Sequence, residues 1–413
     1  MLWPDDEVPM RSRLISPLWT ALQLAVPLLV LAGPAHAVNV VDTEPSGAFD
    51  RAVLDVGGFL QPRYVQVAED VAAGTTGENS LILRRVRLEL RGSLSDDGED
   101  GGKGFGVSTR LSLETMPEAR LVDGFVNIRA LPAVQIRAGQ FKTPTGRSFL
   151  VSDRRTMFAE RGEIMGLNPG RQMGVMVHGR APRNRVEYGV GAFNGEGTNR
   201  LANVNDKFMY AGRVVVAPLG GPGTAAGELL AIDEPLTFAV GYASFFGVTG
   251  PEGQEEATIG HNAEAFFHWR WVSVQGEYLW RFTDWEDPAL ADFNSGGYYA
   301  QVGSFLPGVP WAEEHVAVIY KFDALDELDA IGTLVPPTGP DDPAVARRSH
   351  DIGVAYHVGA PYFDGIHRLR VQVEYSIVQE RENADGSRFD GASADAPTAY
   401  DNNEIIVAAH MSF

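Results

Sequence analysis

The chain closes on Glu404-Ile-Ile-Val-Ala-Ala-His-Met-Ser-Phe413, and the reading of this stretch decides the fold. Ile405, Val407, Ala409, Met411 and Phe413 share one parity, while Glu404, His410 and Ser412 take the other. Successive side chains of a strand point to opposite faces, so the segment carries one apolar face free of charge and one polar face. Leu369, Val371, Val373, Tyr375 and Ile377 alternate in the same way against Arg370, Gln372, Glu374 and Ser376. So do Val272, Val274, Tyr278, Trp280 and Phe282 against Ser273, Gln275, Glu277 and Arg281. A single segment of this kind also fits a half-buried strand of a soluble sandwich; its repetition along the chain is what a wall between hydrocarbon and water requires.

Breaking the pattern at clusters of Gly, Pro, Asn and Asp gives about sixteen strands, from 52–67 to 402–413. The expected fold is all-β: a transmembrane antiparallel up-and-down β-barrel over residues 52–413. An even strand count puts both termini on one side of the membrane, with short turns there and long loops opposite. Leu131-Pro132, Ala181–Asn184, Arg270-Trp271 and Gly359–Pro361 read as short turns, whereas 93–103 and 218–234 are longer than that scheme asks. Arg84 breaks the parity of its strand near one end, where a bulge or snorkelling relieves the cost. Phe208, Tyr210, Trp269, Trp271, Tyr278, Tyr298, Tyr320, Tyr356 and Tyr375 lie near the ends of apolar faces, as residues at a headgroup level do.

At the N-terminus, Met10 to Arg13 is basic, Leu14 to Gly33 is apolar, and Ala35-His-Ala37 fits a small-x-small cleavage site. Residues 1–37 are therefore expected to be a signal peptide, followed by an N-terminal segment over 38–51. With no cysteine the chain has no thiolate metal site, thiol nucleophile or disulfide. The formal charge of −20 argues against nucleic acid as a partner, and much of it falls in acidic runs that read as loop tips. Outer-membrane lipid and lipopolysaccharide are the expected surroundings. No enzyme constellation stands out: there is no G-x-S-x-G elbow, H-E-x-x-H or P-loop, and no cofactor is implied. His178, His268, His357 and His410 fall on polar parity and read as solvated, lumen-facing residues.

The informative cluster lies in 143–170, which lacks strand alternation and carries Arg147, Arg154, Arg155 and Arg161, with Lys142 and Arg171 at its feet. From that position a long loop can fold inward and narrow a channel, and permanently charged guanidinium groups there favour anions. Asp153, Glu160 and Glu163 lie in the same loop, so local neutralisation of the arginines is an equal alternative. Arg85, Arg87, Arg110, Arg129 and Arg137 share the polar parity of nearby strands and read as pore wall.

Several motifs resemble the phosphate-selective porin O and P family: Leu83-Arg-Arg-Val-Arg-Leu-Glu-Leu-Arg-Gly92, Ala138-Gly-Gln-Phe-Lys-Thr-Pro144, Ser152-Asp153 with Phe158-Ala-Glu-Arg161, and Pro169-Gly-Arg-Gln-Met-Gly-Val175 with His178-Gly179. The resemblance implies a trimeric, sixteen-stranded porin of a Gram-negative outer membrane whose third loop enters the pore. It further implies that basic residues bind small anions such as phosphate, with Lys142 and Arg171 the best matches. The reading from another class is a non-conducting barrel or sandwich exported to the cell surface.

Overall fold

The computed structural model describes residues 38–43, 51–67, 78–95, 104–116, 118–286, 293–329, 346–358, 369–382, 398–401 and 403–412. The expected signal peptide and the acidic runs 96–100 and 341–342 lie outside the described residues, whereas the run 323–329, expected as a loop tip, belongs to the strand Val316–Asp329. In chain order the strands are β1 (Val38–Thr43), β2 (Arg51–Val67), β3 (Glu78–Ser95), β4 (Gly106–Glu114), β5 (Arg120–Leu131), β6 (Val134–Lys142), β7 (Arg171–Arg180), β8 (Val186–Phe193) and β9 (Met209–Val216). They continue as β10 (Thr237–Thr249), β11 (Glu256–Trp269), β12 (Val272–Trp285), β13 (Phe293–Phe305), β14 (Val316–Asp329), β15 (Ala346–Val358), β16 (Leu369–Glu382), β17 (Thr398–Asp401) and β18 (Glu404–Ser412).

From β2 to β16 each strand pairs antiparallel with the next, and β18 pairs with both β16 and β2, which closes the sheet. β17 and β18 lie in succession along β16 and are two pieces of one wall strand. The wall is thus a closed sixteen-strand barrel, and every expected strand is present. Closure pairs the backbone polar groups around the ring, the condition for a sheet to stand in hydrocarbon. β1 is an addition that the alternation did not reveal: it pairs with Ala52 to Val56 of β2, and β18 takes Phe59 to Val67 of the same strand.

Burial is inverted relative to a soluble protein. Ile128, Ile136 and Val175 are exposed, at 42%, 45% and 51%, while Glu89, Arg213 and Glu277 of the inward parity are buried. Tyr210, Trp269, Tyr278, Tyr298, Tyr320 and Tyr356 stand exposed on the outward face. One sector differs: Tyr64, Leu369, Val371, Ile405, Val407 and Ala409 form a buried cluster. Arg84 occupies a bulge, because Gln61 pairs with Arg85 and Pro62 with Leu83. The extra residue turns Arg84 to Glu160, with its Nε donating at 2.7 Å.

Val126 sits mid-strand on the exposed face, opposite Thr109 and Ala138. Val126→Arg should lower stability in lipid by about 2–4 kcal/mol, read as a lower denaturant midpoint of the refolded barrel, whereas Val126→Leu should leave the midpoint in place.

Candidate functional site

Lys142 and Arg171 are cross-strand partners, so β6 and β7 bring the two feet of the 143–170 loop together. The loop contains one helical turn, α1 (Arg147–Leu150), and a short 3-10 turn over Glu163–Leu167. Its backbone amides have no ladder to join, and an enclosed amide needs an acceptor. Carboxylates of the inner wall provide one. Glu277 of β12 accepts from the Ser148 N–H at 2.5 Å, Glu374 of β16 from Ala159 at 2.8 Å, and Asp323 of β14 from Glu163 at 2.6 Å. These partners are buried inward-facing side chains, so the loop lies inside the barrel against the β12–β16 wall. Gly146 makes the approach possible, since a Cβ there would run into Glu277 Oε2.

The long 217–236 junction has its explanation in the same place. Glu228 accepts from the Met157 N–H at 2.6 Å and from Ser148 Oγ at 3.0 Å, and the Glu228 N–H donates to the Arg155 carbonyl at 3.1 Å. Arg147 Nη2 donates to the Gly227 carbonyl at 2.6 Å, and Arg155 Nη1 to the Ala225 carbonyl at 2.5 Å. Two segments from opposite ends of the barrel therefore meet in its interior. Sequence reasoning recorded the irregular length of this junction but did not select Glu228, nor the wall acids Glu277, Asp323 and Glu374.

The expected site residues divide by what holds them. Lys142 Nζ donates to the carbonyls of Phe149 and Val151, at 2.5 and 2.9 Å, and fastens the loop. Arg161 donates to the carbonyls of Ser148 and Val151 and pairs with Asp153. Arg147 donates Nε to Gln275 and lies 3.8 Å over the Phe266 ring. Arg154 pairs with Glu89 at 3.1 Å, and Arg171 with Asp123 at 2.8 Å. On the wall, Arg87 bridges Glu114 and Asp153, Arg110 pairs with Glu89, and Arg85 reaches Gln61 and Glu160. Of the two alternatives open at the loop, pairing with carboxylates accounts for Arg154 and Arg161, and carbonyl acceptors hold Arg147 and Arg155.

The histidines are not simply solvated. His178 meets Asn127, His268 meets Ser273, His410 meets Gln61, and His357 packs against Phe305. His178, His268 and His410 thus take polar side chains of the wall as partners, although His178 also lines open space.

What the segments leave open is eccentric. A cavity of about 1110 Å³ runs beside β4 to β9 from loop residues Pro144 and Leu150 to the turns at Leu131–Ala133 and Ala181–Asn184. A smaller space of about 40 Å³ lies among Arg155, Thr156, His357, Arg370 and His410. Nine of the side chains lining the large chamber are cationic and three are acidic, in a chain whose formal charge is −20. Asp123, Asp153 and Glu187 are all engaged by arginines. Arg129, Arg137 and Arg183 have no carboxylate partner among the described residues, and Arg129 donates Nε to the Gly104 carbonyl. No group of metal-binding side chains occurs among the described residues.

Over residues 64–230 the chain matches the family model described as phosphate-selective porin O and P. No curated protein matches the chain. Among solved structures, the trimer form of in-vitro folded OmpT, an outer membrane protein of Vibrio cholerae, aligns with a TM-score of 0.57 at 9% identity over 88% of this chain and 99% of that one. The anion-selective porin from Comamonas acidovorans gives 0.56 at 14% identity, covering 88% and 100%. The high-pH structure of Pseudomonas putida OprB gives 0.51 at 10%, covering 87% and 94%. At such identities the likeness is one of fold; the family match and the closed barrel agree on an outer-membrane porin of a Gram-negative bacterium.

Glu160 is the loop carboxylate gathered by Arg63, Arg84 and Arg85. Burial pushes its pKa up, but the three guanidinium groups outweigh that and hold it at about 2, below the ordinary 4.5. A depressed carboxylate contributes its full stabilisation above its unfolded pKa and loses it as pH falls toward the folded value. Closures of the reconstituted channel should therefore become more frequent as pH drops from about 4.5 toward 2, and Glu160→Gln should show the acid behaviour already at neutral pH.

Proposed function

We propose that this outer-membrane porin prefers anions and conducts them through the eccentric chamber beside β4 to β9. The observation that carries the reading is the charge of that chamber, where cationic lining side chains outnumber acids in an otherwise acidic protein. A low-dielectric wall lined by one sign of charge raises the local concentration of the opposite ion. The loop over 143–170 is the constriction. Its arginines, with Lys142, act chiefly by holding the loop's own backbone and tying it to Glu89, Gln275 and the 217–236 junction, while the arginines of β4 to β9 face the solute. Phosphate is one candidate among small anions, and it draws support from the family match over residues 64–230. The assembly is a homotrimer, a reading supported by the trimer form of Vibrio cholerae OmpT, which has the same fold. The strand ends joined by short turns face the periplasm, the long loops face outward, and residues 1–37 serve as the export signal.

Zero-current potentials across planar bilayers holding a KCl gradient test the selectivity. An anion-preferring potential is expected, and a cation-preferring one would reject it. Arg129→Gln combined with Arg183→Gln should move the potential toward cation preference. Arg154→Gln should move it less, because Arg154 is already matched by Glu89.

A further inference from the structure

Of the three chamber arginines without a carboxylate partner among the described residues, Arg137 is framed by aromatic rings. Arg137 of β6 makes no ion pair among the described residues, and its Nε has no hydrogen-bond partner. Its guanidinium carbon lies 4.5 Å from the ring centre of Phe125 and 5.5 Å from that of Phe141. The rings are braced in turn: Phe141 meets Phe125 edge-on at 6.1 Å and Phe193 at 5.5 Å. The local sequence builds this frame, because Arg137, Gly139 and Phe141 fall on the inward face of β6 and Gly139 pairs with Phe125 of β5. Gly139 has φ +126°, and a Cβ there would run into the Gly124 carbonyl and the Phe125 backbone. Only glycine lets the ring of Phe125 close over Arg137. Met176 lies opposite Arg137 across the strand pair and lines the same chamber.

A small, strongly hydrated anion such as phosphate needs several donors converging on it to replace its water. Around Arg137, Arg110 and Arg171 are held by Asp123, Arg180 by Glu187, and Lys142 by two loop carbonyls. A monocarboxylate asks for one guanidinium edge, and an apolar body attached to it would gain from the half-buried ring of Phe125, which Phe141 braces. We propose that Arg137, Phe125 and Phe141 form a binding station for organic monocarboxylates with an apolar, above all aromatic, body. The inference rests on the anion reading of the chamber and narrows it to a solute class. Cation–π contact keeps the guanidinium beside the two rings, where it can meet a carboxylate.

Block of chloride current through the reconstituted full-length channel tests this, with benzoate, acetate and inorganic phosphate as probes at equal concentration. Benzoate should act at roughly tenfold lower concentration than acetate, the gain that partial burial of a phenyl ring gives, and at lower concentration than phosphate. Arg137→Gln should abolish the benzoate effect while conductance persists. Arg137→Lys, which keeps the charge and the strand, should weaken it, and heat-modifiable gel migration verifies that each variant is folded. Equal block by the three probes, tighter block by phosphate, or an unchanged benzoate effect in folded Arg137→Gln would overturn the station. The zero-current potential of the same channels reports on the anion reading separately: anion preference without benzoate selectivity removes the station alone, and cation preference removes both.

Discussion

A peptide N–H enclosed away from water must find an acceptor, and inside this barrel the acceptors are carboxylates on one half of the wall. Ser148, Ala159 and Glu163 meet Glu277, Glu374 and Asp323, while Met157 meets Glu228 from the opposite end of the molecule. These bonds set where the loop lies, and the loop sets where the open space lies. The wall carboxylates that take the loop amides stand on β12, β14 and β16, and the charged side chains lining the chamber beside β4 to β9 are chiefly arginines.

Ion pairs do the second part of the positioning. Arg87 joins Glu114 on its own wall to Asp153 of the loop, and Asp153 in turn holds Arg161. Removing one member of such a buried set strands a charge and costs about 3–5 kcal/mol, whereas a hydrophobic replacement of the whole set can cost little. The network therefore contributes more to holding one loop geometry than to overall stability. Arg213, between Glu264 and Glu187, does the same for the junction by donating to Thr224.

The wall was legible in the sequence because its rule is periodic: a face toward hydrocarbon tolerates no charge, so parity alone separates outside from inside. At the exception, Arg84, snorkelling and a bulge were both open, and the strand pairing has the bulge. The interior was not legible to the same degree, because partners there are far apart in the chain. Arg147 meets Gln275 and Ala159 meets Glu374 across sequence separations of 128 and 215 residues, and no local pattern encodes such pairs. The excess length of 218–234 was the one available sign that a second segment enters the lumen. Parity placed Arg137 on the polar face but could not distinguish it from Arg87 or Arg110; what sets it apart is the absence of a carboxylate and the presence of two rings.

β2 is shared along its length between β1 and β18, segments drawn from the two extremities of the chain. The hydrogen-bonding rungs that β18 does not reach are taken by β1, so the seam carries fewer unpaired groups that could recruit a foreign strand. This arrangement also imposes a timetable on biogenesis. β2 cannot complete its pairing until β18 has docked, which makes this one strand the keystone of the finished cylinder.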